Sequence, residues 1–485
     1  MKIGTLFGSL ALGGLAVLIG QMNATAVPQG ESDGGLASGG GPDVVTGSIP
    51  DVARYAPGTF NGVEYASYAI GTTSCNIGTT QLLWQPMPST LHPVISQNMY
   101  RYSNGRFEQV GMSWIKHGFC ALQQTLCGTC TPAGSGCPTV LGVGCSDPYT
   151  ASLNGDQGDL KSRRGVNATT GVFGSNYSDP TAESAEPTSL RERLRVRRSD
   201  LNPTTNPGAQ YFVEGHYIHV DDAGGNNDDN NCSYRKFTVG STWSTTQGYP
   251  LTYSGGTLVQ QPAINAWQTI QSDVVTREYD VAGDGRFILA YRTSDNGNGT
   301  WHYEYAVFNL NSHRSGGSFS IPVPNGVVVS NIGFRSPEYH SGDQKAGTAG
   351  YNQNTAWTAT VADGAITWSG VPFATDQSAN AIRWSTMFNF RFDANQPPQA
   401  ANATLGLFRP PTTASTPTVV PMGSRGPSAP PPPSNPADLN NDGTVNGADL
   451  ALLLGNWGNP GTGDIDSSGV VDGADLAALL SAWIG

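Results

Sequence analysis

Two twelve-residue segments near the end of the chain carry oxygen-bearing side chains at the same spacing. The first reads D-L-N-N-D-G-T-V-N-G-A-D over residues 438–449, and the second reads D-I-D-S-S-G-V-V-D-G-A-D over residues 464–475. Calcium is a hard cation that takes six to eight oxygen ligands, and a twelve-residue loop of the EF-hand type supplies them from fixed positions. The repeat therefore predicts two calcium sites.

Positions 1, 3, 5, 7, 9 and 12 of such a loop provide the ligands, through the backbone carbonyl at position 7 and a bridging water at position 9. Gly443 and Gly469 hold position 6, where the chain must turn sharply. A single stretch rich in Asp, Asn and Gly is often an ordinary surface turn, but two stretches in register favour calcium. The predicted metal ligands are Asp438, Asn440, Asp442, Thr444, Asn446, Asp449, Asp464, Asp466, Ser468, Val470, Asp472 and Asp475.

A helix is expected after each loop, to hold the loop closed. Four apolar residues follow each loop at positions i, i+3, i+4 and i+7, a spacing that puts them on one helical face. Neither helix can bury this face alone, so we expect the two helices to pack on each other. No comparable helix precedes either loop. The apolar residues are Leu450, Leu453, Leu454 and Trp457, then Leu476, Leu479, Leu480 and Trp483.

The segment from Ala437 to Gly485 resembles a type I dockerin, the module that docks secreted bacterial proteins onto cohesin domains. That family uses Asp at position 12, where other loops of this type carry Glu. The resemblance covers residues 437–485 of 485 and implies two calcium ions and a cohesin-like partner. It also implies partner contacts at positions 10 and 11 of each loop, which are Gly447, Ala448, Gly473 and Ala474.

Dockerins often carry polar or basic residues late in these helices. Here the corresponding places hold Leu454, Gly455 and Asn456, then Leu480, Ser481 and Ala482, so the identity of the partner stays open.

Composition predicts a mainly β protein for the rest of the chain. The sequence has 62 Gly and 33 Pro with only 13% charged residues, a mixture that favours short strands joined by turns. The net charge of −12 argues against nucleic acid as a partner, because phosphate binding needs a basic face. We predict a β-sandwich body of two subdomains and a small helical calcium-binding dockerin-like domain. The predicted parts are a signal peptide (1–26), a flexible leader (27–45), a Cys-containing β-rich domain (46–275), a β-sandwich domain (276–408), a Pro/Ser/Thr-rich linker (409–436) and the dockerin-like domain (437–485).

The N-terminus has the pattern of a secretory signal peptide. Met1-Lys2 precedes an apolar run over residues 3–20, and Ala24-Thr25-Ala26 offers a cleavage site. An uncleaved anchor helix is the alternative. No later run reaches the ~18 apolar residues of a membrane span. We therefore expect a protein that is secreted to the medium or the cell surface and does not insert into a membrane after cleavage.

Strand signals are clearest in the second half of the body. Residues 286–294 and 300–311 flank a Gly-rich loop, and residues 357–361 and 365–368 bracket Asp363-Gly364. Both patterns predict β-hairpins. This part resembles the β-sandwich domains of secreted bacterial proteins of unknown function. Side chains alternate along a strand, so each of two aromatic sets is expected on one face: Trp301, Tyr303, Tyr305 and Val307, and Phe388, Phe390 and Phe392.

Seven cysteines follow the predicted signal peptide, at positions 75, 120, 127, 130, 137, 145 and 232. In an oxidising compartment most should form disulfides, with at least one left over. We expect at least four of the five cysteines between Cys120 and Cys145 to be bonded. A metal site that includes His117 is the alternative, but one C-x-x-C pair falls short of the two expected for a zinc knuckle.

Dockerins are often joined to polysaccharide-degrading enzymes, and glycosidases need two carboxylates about 5 to 10 Å apart. Glu214, Glu278 and Glu304 are candidates, although each is better explained as a carboxylate on the wet face of a strand. His216 and His219 are expected on opposite faces of a strand, which is poor geometry for a metal. No G-x-S-x-G elbow is present to support a serine nucleophile.

Two further charged segments have simple interpretations. The tract of residues 221–230 reads as a polar surface loop rather than a cation site. The basic run of residues 191–198 reads as a solvated strand or loop rather than a polyanion-binding strip. The sequence therefore favours a calcium-binding protein displayed through its tail as a binding or structural component of an extracellular, polysaccharide-related assembly. The alternative is a carbohydrate-active hydrolase that cleaves O-glycosyl bonds and uses the same tail.

Overall fold

A computed structural model describes residues 40–174, 186–340, 354–411, 417–430 and 435–483. The predicted signal peptide and most of the predicted leader lie outside these residues. The described chain is mainly β, built from antiparallel sheets, and ends in two short helices. This confirms the fold class expected from the composition.

The first part of the body is organised around a ten-stranded sheet. Eight of its strands follow the order β17-β16-β15-β6-β7-β14-β3-β2, and β8 and β11 pair at its side. A three-stranded sheet with the order β1-β4-β10 lies beside it. The strands are β1 (Val44–Ser48), β2 (Val52–Phe60), β3 (Val63–Ile70), β4 (Thr72–Asn76), β5 (Leu82–Leu83), β6 (Val94–Ser103), β7 (Arg106–Met112), β8 (Ile115–His117), β9 (Val140–Leu141), β10 (Ser146–Tyr149), β11 (Leu160–Lys161), β12 (Val166–Asn167), β13 (Val172–Phe173), β14 (Leu194–Arg197), β15 (Gln210–Ile218), β16 (Cys232–Val239) and β17 (Leu251–Leu258).

The second part of the body is two five-stranded sheets, with the orders β18-β19-β20-β25-β22 and β23-β24-β21-β26-β27. The predicted hairpin at Asp363-Gly364 is present, and both residues have positive φ (52° and 72°) as a tight two-residue turn requires. The strands are β18 (Val275–Asp280), β19 (Arg286–Asp295), β20 (Trp301–Asn309), β21 (Gly316–Pro322), β22 (Val329–Arg335), β23 (Thr358–Ala362), β24 (Ala365–Ser369), β25 (Thr386–Ala394), β26 (Pro398–Leu407) and β27 (Val419–Pro427).

An aromatic core joins these two sheets. Phe319 of one sheet lies 4.7 Å from Phe390 and 5.7 Å from Tyr305 of the other, measured between ring centroids. Both aromatic sets predicted from alternation point into this core, with Trp301 at its margin. Offset and edge-to-face rings at such distances add about 0.5–1.5 kcal/mol per pair beyond the area that they bury.

The opposite face of the β18–β22 sheet is also buried. Ile288, Phe308 and Met387 pack there against Phe107 and Trp267 of the first part of the body. The body is therefore three packed layers, and its middle sheet is covered on both faces. This explains the nearly continuous apolar run of β19, because only a strand buried on both sides needs one.

The described helices are short, and all but the last two lie in the body. In the tail, α5 and α6 pack through Leu453 and Leu479, which are fully buried together with Val445 and Val471. The helices are α1 (Ala151–Asn154), α2 (Arg198–Leu201), α3 (Val220–Gly224), α4 (Asn265–Ile270), α5 (Gly447–Gly455) and α6 (Gly473–Ser481), with 3-10 turns at Gln157–Asp159 and Arg163–Gly165.

Part of the predicted linker is a strand instead. Residues 419–427 form β27, which pairs with β26 along its whole length. The composition of residues 409–436 favours an extended spacer, but an extended segment also fits the free edge of a neighbouring sheet. Two other strands begin slightly before the predicted domain boundaries. β1 begins at Val44, inside the predicted leader, and β18 begins at Val275, just before the predicted sandwich domain.

The basic run at residues 191–198 is only partly solvated, because Arg197 is exposed while the centre of the run is buried. It contains β14, which pairs with β3 on one side and β7 on the other. Leu194 and Val196 are fully buried, and Arg195 is nearly so. Arg195 is neutralised by Glu186 at 2.5 Å, so a partner outside the run makes the burial of its charge tolerable.

Three disulfides pair Cys75 with Cys127, Cys120 with Cys137, and Cys130 with Cys145. All five cysteines between Cys120 and Cys145 are thus bonded, which confirms the prediction and removes the thiolates that a zinc site would need. The remaining cysteine, Cys232, is buried and free.

Among the described residues, no helix has the length and apolarity needed to cross a membrane.

We expect the Cys75–Cys127 disulfide to be a major contributor to stability, because it closes a loop of 52 residues. The chain-entropy relation gives about 4 kcal/mol for a loop of this size. The double substitution Cys75→Ser/Cys127→Ser should lower the free energy of unfolding by that order in urea titrations. The matched control is Cys232→Ala, which removes a thiol and no cross-link. Equal unfolding midpoints for the double variant and the unmodified protein would contradict the expectation.

Candidate functional site

The second tail loop gathers three carboxylates at one point. One oxygen each from Asp464, Asp466 and Asp475 lies within 4.8 Å of the others, a spacing that can hold a metal ion. Among the described residues, this is the one place where three or more acidic, histidine or cysteine side chains meet in that way. Like charges so close together repel, so the arrangement favours a cation.

The backbone of this loop is bent to aim its oxygens inward. Ser467 has φ of 58° and Gly469 has φ of 95°, a conformation in which glycine avoids strain. The bend directs the N–H groups of Ser468 and Gly469 to the two oxygens of Asp464, at 2.9 and 2.8 Å. The sequence prediction of a sharp turn at position 6 therefore agrees with the structure.

Asp475 closes the loop from the first turn of α6. Its carboxylate accepts the N–H groups of Ile465 at 2.7 Å, Asp466 at 3.1 Å and Asp472 at 2.8 Å. These backbone donors, led by that of Asp472, lower the pKa of Asp475 below its usual value. The closing position thus stays ionised and available to a cation.

The first loop repeats this geometry. Asn441 has φ of 58° and Gly443 has φ of 90°. Asp438 accepts the N–H groups of Asp442 at 3.1 Å and Gly443 at 2.8 Å, and Asp449 accepts that of Asn440 at 3.1 Å. The loops differ at positions 3, 5 and 9, which hold Asn440, Asp442 and Asn446 in the first loop and Asp466, Ser468 and Asp472 in the second, so the first loop has three carboxylates and the second has four. The first loop therefore concentrates less negative charge.

Each closing Asp also caps its helix. The Asn446 side chain accepts the N–H of Ala448, while Asp449 accepts the N–H of Asn446, and residues 472 and 475 form the same reciprocal box. The N–H of Asn446 is also the main cause of the lowered pKa of Asp449. One carboxylate thus serves both the loop and the start of the helix.

The remaining predicted ligands lie within the loops and contact one another. Asn440 donates to Asp442 at 2.8 Å, and Thr444 donates its backbone N–H to Asp442 at 2.9 Å. In the second loop, the hydroxyl of Ser468 donates to the carbonyl of Val470 at 3.2 Å. These contacts keep the predicted metal ligands on the surface of each loop, while the closing Asp lies at the base of the loop.

The predicted apolar helix faces are only half correct. Leu453 and Leu479 are fully buried, and Leu450 and Leu476 pack beside them. The later pairs are exposed, and Trp457 and Trp483 lie beyond the last residue of their nine-residue helices. The exposed residues are Leu454 (52%), Trp457 (44%), Leu480 (53%) and Trp483 (38%).

The residues predicted to contact a partner lie in the first turns of α5 and α6. Gly447, Ala448, Gly473 and Ala474 are all exposed. No Cβ built on either glycine would meet another atom within 4 Å, so the surface above them is open.

Glu214, a candidate catalytic carboxylate, is buried in the body and not on a wet face. It accepts hydrogen bonds from Asn98 at 2.9 Å, Tyr100 at 2.8 Å and the N–H of Ala263 at 2.7 Å. Burial raises its pKa. The carboxylate is enclosed by these donors, so its role is to hold β6, β15 and the start of α4 together.

Glu304 belongs to a separate network, and it too is buried. His302 lies between Asp393 at 2.6 Å and Glu304 at 3.2 Å, and Arg106 approaches Glu304 at 3.3 Å. The hydrogen bond to Glu304 is the main cause of a raised pKa at His302. Glu278 is exposed as predicted and pairs with Arg286 at 2.8 Å. The structure records no contact that joins any two of the three candidate acids.

Sequence reasoning missed a polar cleft between the first part of the body and the sandwich. It holds about 980 Å³ of empty space, which includes its open mouth. Arg335 pairs with Asp200 at 2.8 Å, and Arg197 pairs with Glu338. Burial tends to raise the pKa of Glu338, but hydrogen bonding to Arg197 outweighs it, and the net shift is downward. Such a group is a poor general acid.

The two candidate histidines are both buried, but they have different surroundings. Within the described part of the chain, neither ring nitrogen of His216 has a hydrogen-bond partner, and burial lowers its pKa to about 3. His219 contacts the carbonyl of Leu83 at 2.7 Å and accepts the N–H of Asp221, which starts α3. Only His216 lies on a strand, because β15 ends at Ile218 and His219 caps the start of α3.

The acidic tract of residues 221–230 is structural and not a free surface loop. Asp222 is fully buried, accepting the N–H of Val44 at 2.9 Å and the amide of Asn231 at 2.7 Å. Asp228 accepts the Asn311 amide at 2.7 Å, which ties the tract to the sandwich. Its carboxylates are therefore used within the chain.

Comparison with known proteins gives little. No family model matches the sequence, and no curated protein matches it. The N-terminal domain of the Streptococcus gordonii adhesin Sgo0707 is 9% identical with a TM-score of 0.17, covering 76% of this chain and 62% of that chain. The serine-rich repeat adhesion glycoprotein Srr1 of Streptococcus agalactiae is 9% identical with a TM-score of 0.18, covering 81% and 100%.

A third structure combines manganese lipoxygenase of Gaeumannomyces graminis with partial zonadhesin of Komagataella pastoris, at 9% identity and a TM-score of 0.16, covering 78% and 94%. This chain thus spans 62% of the length of the Sgo0707 domain. At these TM-scores the likeness is weak and does not define a function.

We expect His302 to make the stability of the body depend on pH. Its pKa is raised above 6.5 in the folded state, so the folded protein holds the proton more tightly than the unfolded chain does. The stabilisation is therefore complete below pH 6.5 and is lost as the pH rises through the folded pKa. Urea unfolding from pH 5 to 9 should show the largest difference between the unmodified protein and His302→Gln at the acidic end. A difference that is constant or grows with pH would contradict this.

Proposed function

We propose that this chain is an exported protein whose tail binds two calcium ions and docks its body onto a cohesin-like partner. The observation that carries the proposal is the duplicated loop geometry. Both loops have positive φ at positions 4 and 6, the same backbone bonds to the carboxylate at position 1, and a closing Asp that caps the following helix. Two surface turns have no physical reason to share all of these features.

The donor set of the loops fits calcium. Every predicted ligand atom is an oxygen, and calcium prefers carboxylate, carbonyl and water oxygens in flexible geometry. Asp464, Asp466 and Asp475 would hold one ion, together with Ser468, the carbonyl of Val470 and a water on Asp472. The first loop would use Asp438, Asn440, Asp442, Asp449, the carbonyl of Thr444 and a water on Asn446. A bound ion supplies positive charge that offsets the repulsion among these carboxylates.

The disulfides support export. Three bridges form and persist in an oxidising compartment, and they are rare in the reducing cytosol. An extracellular or cell-surface location agrees with the signal peptide that the N-terminal sequence predicts.

For the body, we propose a binding or structural role in an assembly on extracellular polysaccharide. The hydrolase alternative needs a close pair of carboxylates in which one has a raised pKa and can reach substrate. Glu214 is enclosed, and the pKa of Glu338 in the cleft is lowered. The paired guanidinium and carboxylate groups of the cleft are instead suited to hydrogen bonds with hydroxyl groups.

We expect calcium binding in the second loop to require the closing carboxylate at residue 475. Asp475→Asn keeps the shape but removes the charge, so isothermal titration of the full chain should lose one of two calcium sites. Asp475→Glu restores a carboxylate at the position where other loops of this type carry Glu, and it should retain both sites. Asp273→Ala, an exposed acid of the body, is the matched control. Unchanged calcium binding in Asp475→Asn would refute the assignment.

We expect two equivalent partner-binding faces, because the loops and helices repeat. Ala448→Arg alone should be tolerated, and so should Ala474→Arg, since the other face still docks. Together they should weaken capture by a cohesin panel at least about 30-fold, as the loss of ~2 kcal/mol of contact energy implies. Thr462→Arg, between the two repeats, is the control. Loss of capture from either single substitution, with calcium still bound, would contradict the two-face arrangement.

A further inference from the structure

The polar cleft between the first part of the body and the sandwich has the space of a ligand site. Its walls come from β7, the end of β14 and α2 on one side, and from β22 and the segment after it on the other. About 430 Å³ of the cleft is accessible to the centre of a water molecule, whereas a single water needs only about 10–15 Å³. Sites for small ligands occupy about 300–1,000 Å³. The polar lining includes Gln109, Arg197, Ser199, Asp200, Arg335 and Glu338.

The charges that line the cleft balance one another. Arg335 pairs with Asp200 at 2.8 Å, and Nε of Arg197 donates to Glu338 at 3.0 Å. A charged ligand would have to compete with one member of these pairs for the other. A neutral ligand can bond to both members without separating them, so the balance of charge favours a neutral ligand.

The paired groups keep hydrogen-bonding capacity for such a ligand. A guanidinium has five N–H donors. Arg197 contacts Glu338 through Nε and Nη2, and within the described residues its Nη1 has no partner. The exposed hydroxyl of Ser199 lies in the same lining and can both donate and accept. Donors and acceptors therefore line one space, an arrangement that suits hydroxyl groups because each hydroxyl also does both.

A buried amide in the lining has an unused donor. Gln109 is 1% exposed, and its side-chain oxygen accepts the N–H of Met387 at 2.7 Å. That bond fixes the orientation of the amide, and the amide nitrogen has no hydrogen-bond partner in the part of the chain that the structure describes. A buried donor left unsatisfied is unfavourable, so an oxygen atom that reaches the base of the cleft would stabilise it.

One aromatic ring belongs to the same lining. Phe334 is half-buried and lines the cleft, and its ring stacks on that of Trp357 with centroids 5.7 Å apart and planes 10° apart. The stack holds the phenyl ring in a fixed position. A sugar ring has hydroxyl groups at its edge and an apolar face of C–H groups. The cleft thus offers polar partners for the edge and an aromatic partner for the face.

We propose that this cleft binds a neutral saccharide, an assignment that rests on the binding role proposed for the body. The two ion pairs, Ser199 and Gln109 bond its hydroxyl groups, and Phe334 packs against the face of one ring. Hydrogen bonds to charged groups are stronger than those between neutral groups, so the ion pairs contribute most of the polar affinity. Because the lining comes from both parts of the body, the saccharide also bridges them.

The test is isothermal titration of the full chain, in the presence of calcium, with cellohexaose, xylohexaose, mannohexaose and maltohexaose as neutral probes. Hexagalacturonic acid is the charged reference. Phe334→Leu removes the ring but keeps an apolar side chain, Glu338→Gln removes a charge with little change of shape, and Ser199→Ala removes one exposed hydroxyl. Glu64→Gln is the matched control, because its ion pair with Arg198 at 2.6 Å lies outside the cleft lining.

We expect saturable binding of at least one neutral probe. The affinity should fall about 10-fold in Phe334→Leu and in Glu338→Gln and about 3-fold in Ser199→Ala, and it should not change in Glu64→Gln. Ser199→Ala removes a surface hydroxyl only, so it keeps the test valid where another variant does not fold.

The contrary outcomes separate this proposal from the binding role of the body. Saccharide binding that is equal in all three cleft variants would overturn the cleft as the site and leave that role standing. Tighter binding of hexagalacturonic acid than of every neutral probe would overturn the neutral class of ligand. Absence of saturable binding by all the neutral probes would overturn both the cleft site and the binding role of the body, with no consequence for calcium in the tail.

Discussion

The tail depends on a single electrostatic constraint. Each closing carboxylate must accept hydrogen bonds from the backbone of its loop while it lies close to other carboxylates. Asp475 satisfies three N–H groups of its loop while lying against Asp464 and Asp466. Backbone donors keep it ionised, so its negative charge repels the other carboxylates. The divalent cation that we propose would remove this repulsion. Asp475 also belongs to the capping box that starts α6, so calcium binding, as proposed, would couple binding energy to folding energy in this small domain.

The body meets a different constraint, because it buries charge in a three-layer β structure. Each buried charge pair ties separate segments together, as Arg195 does with Glu186 and Arg335 with Asp200. Removing one partner of such a pair is costly, since it leaves an uncompensated charge. These buried charged groups are thus committed to holding the body together.

Features set by local sequence could be predicted, and features set by distant partners could not. The tail loops and the Asp363-Gly364 hairpin are formed by residues close together in sequence, so the spacing of those residues was sufficient to predict them. The burial of Arg195 depends on its ion pair with Glu186, and the strand β27 depends on pairing with β26. Neither pairing leaves a signal in the local sequence. The exposure of Trp457 was missed because helical periodicity places it on the apolar face, whereas α5 ends at Gly455.

The central claim is that the tail holds two calcium ions. Native mass spectrometry of the full chain, exchanged into volatile buffer with micromolar calcium, measures the number of bound ions directly. The account predicts a mass increase of two calcium ions that chelator removes and that magnesium at the same concentration does not reproduce. A chain that stays metal-free, or one that takes up a single ion at saturation, would contradict it.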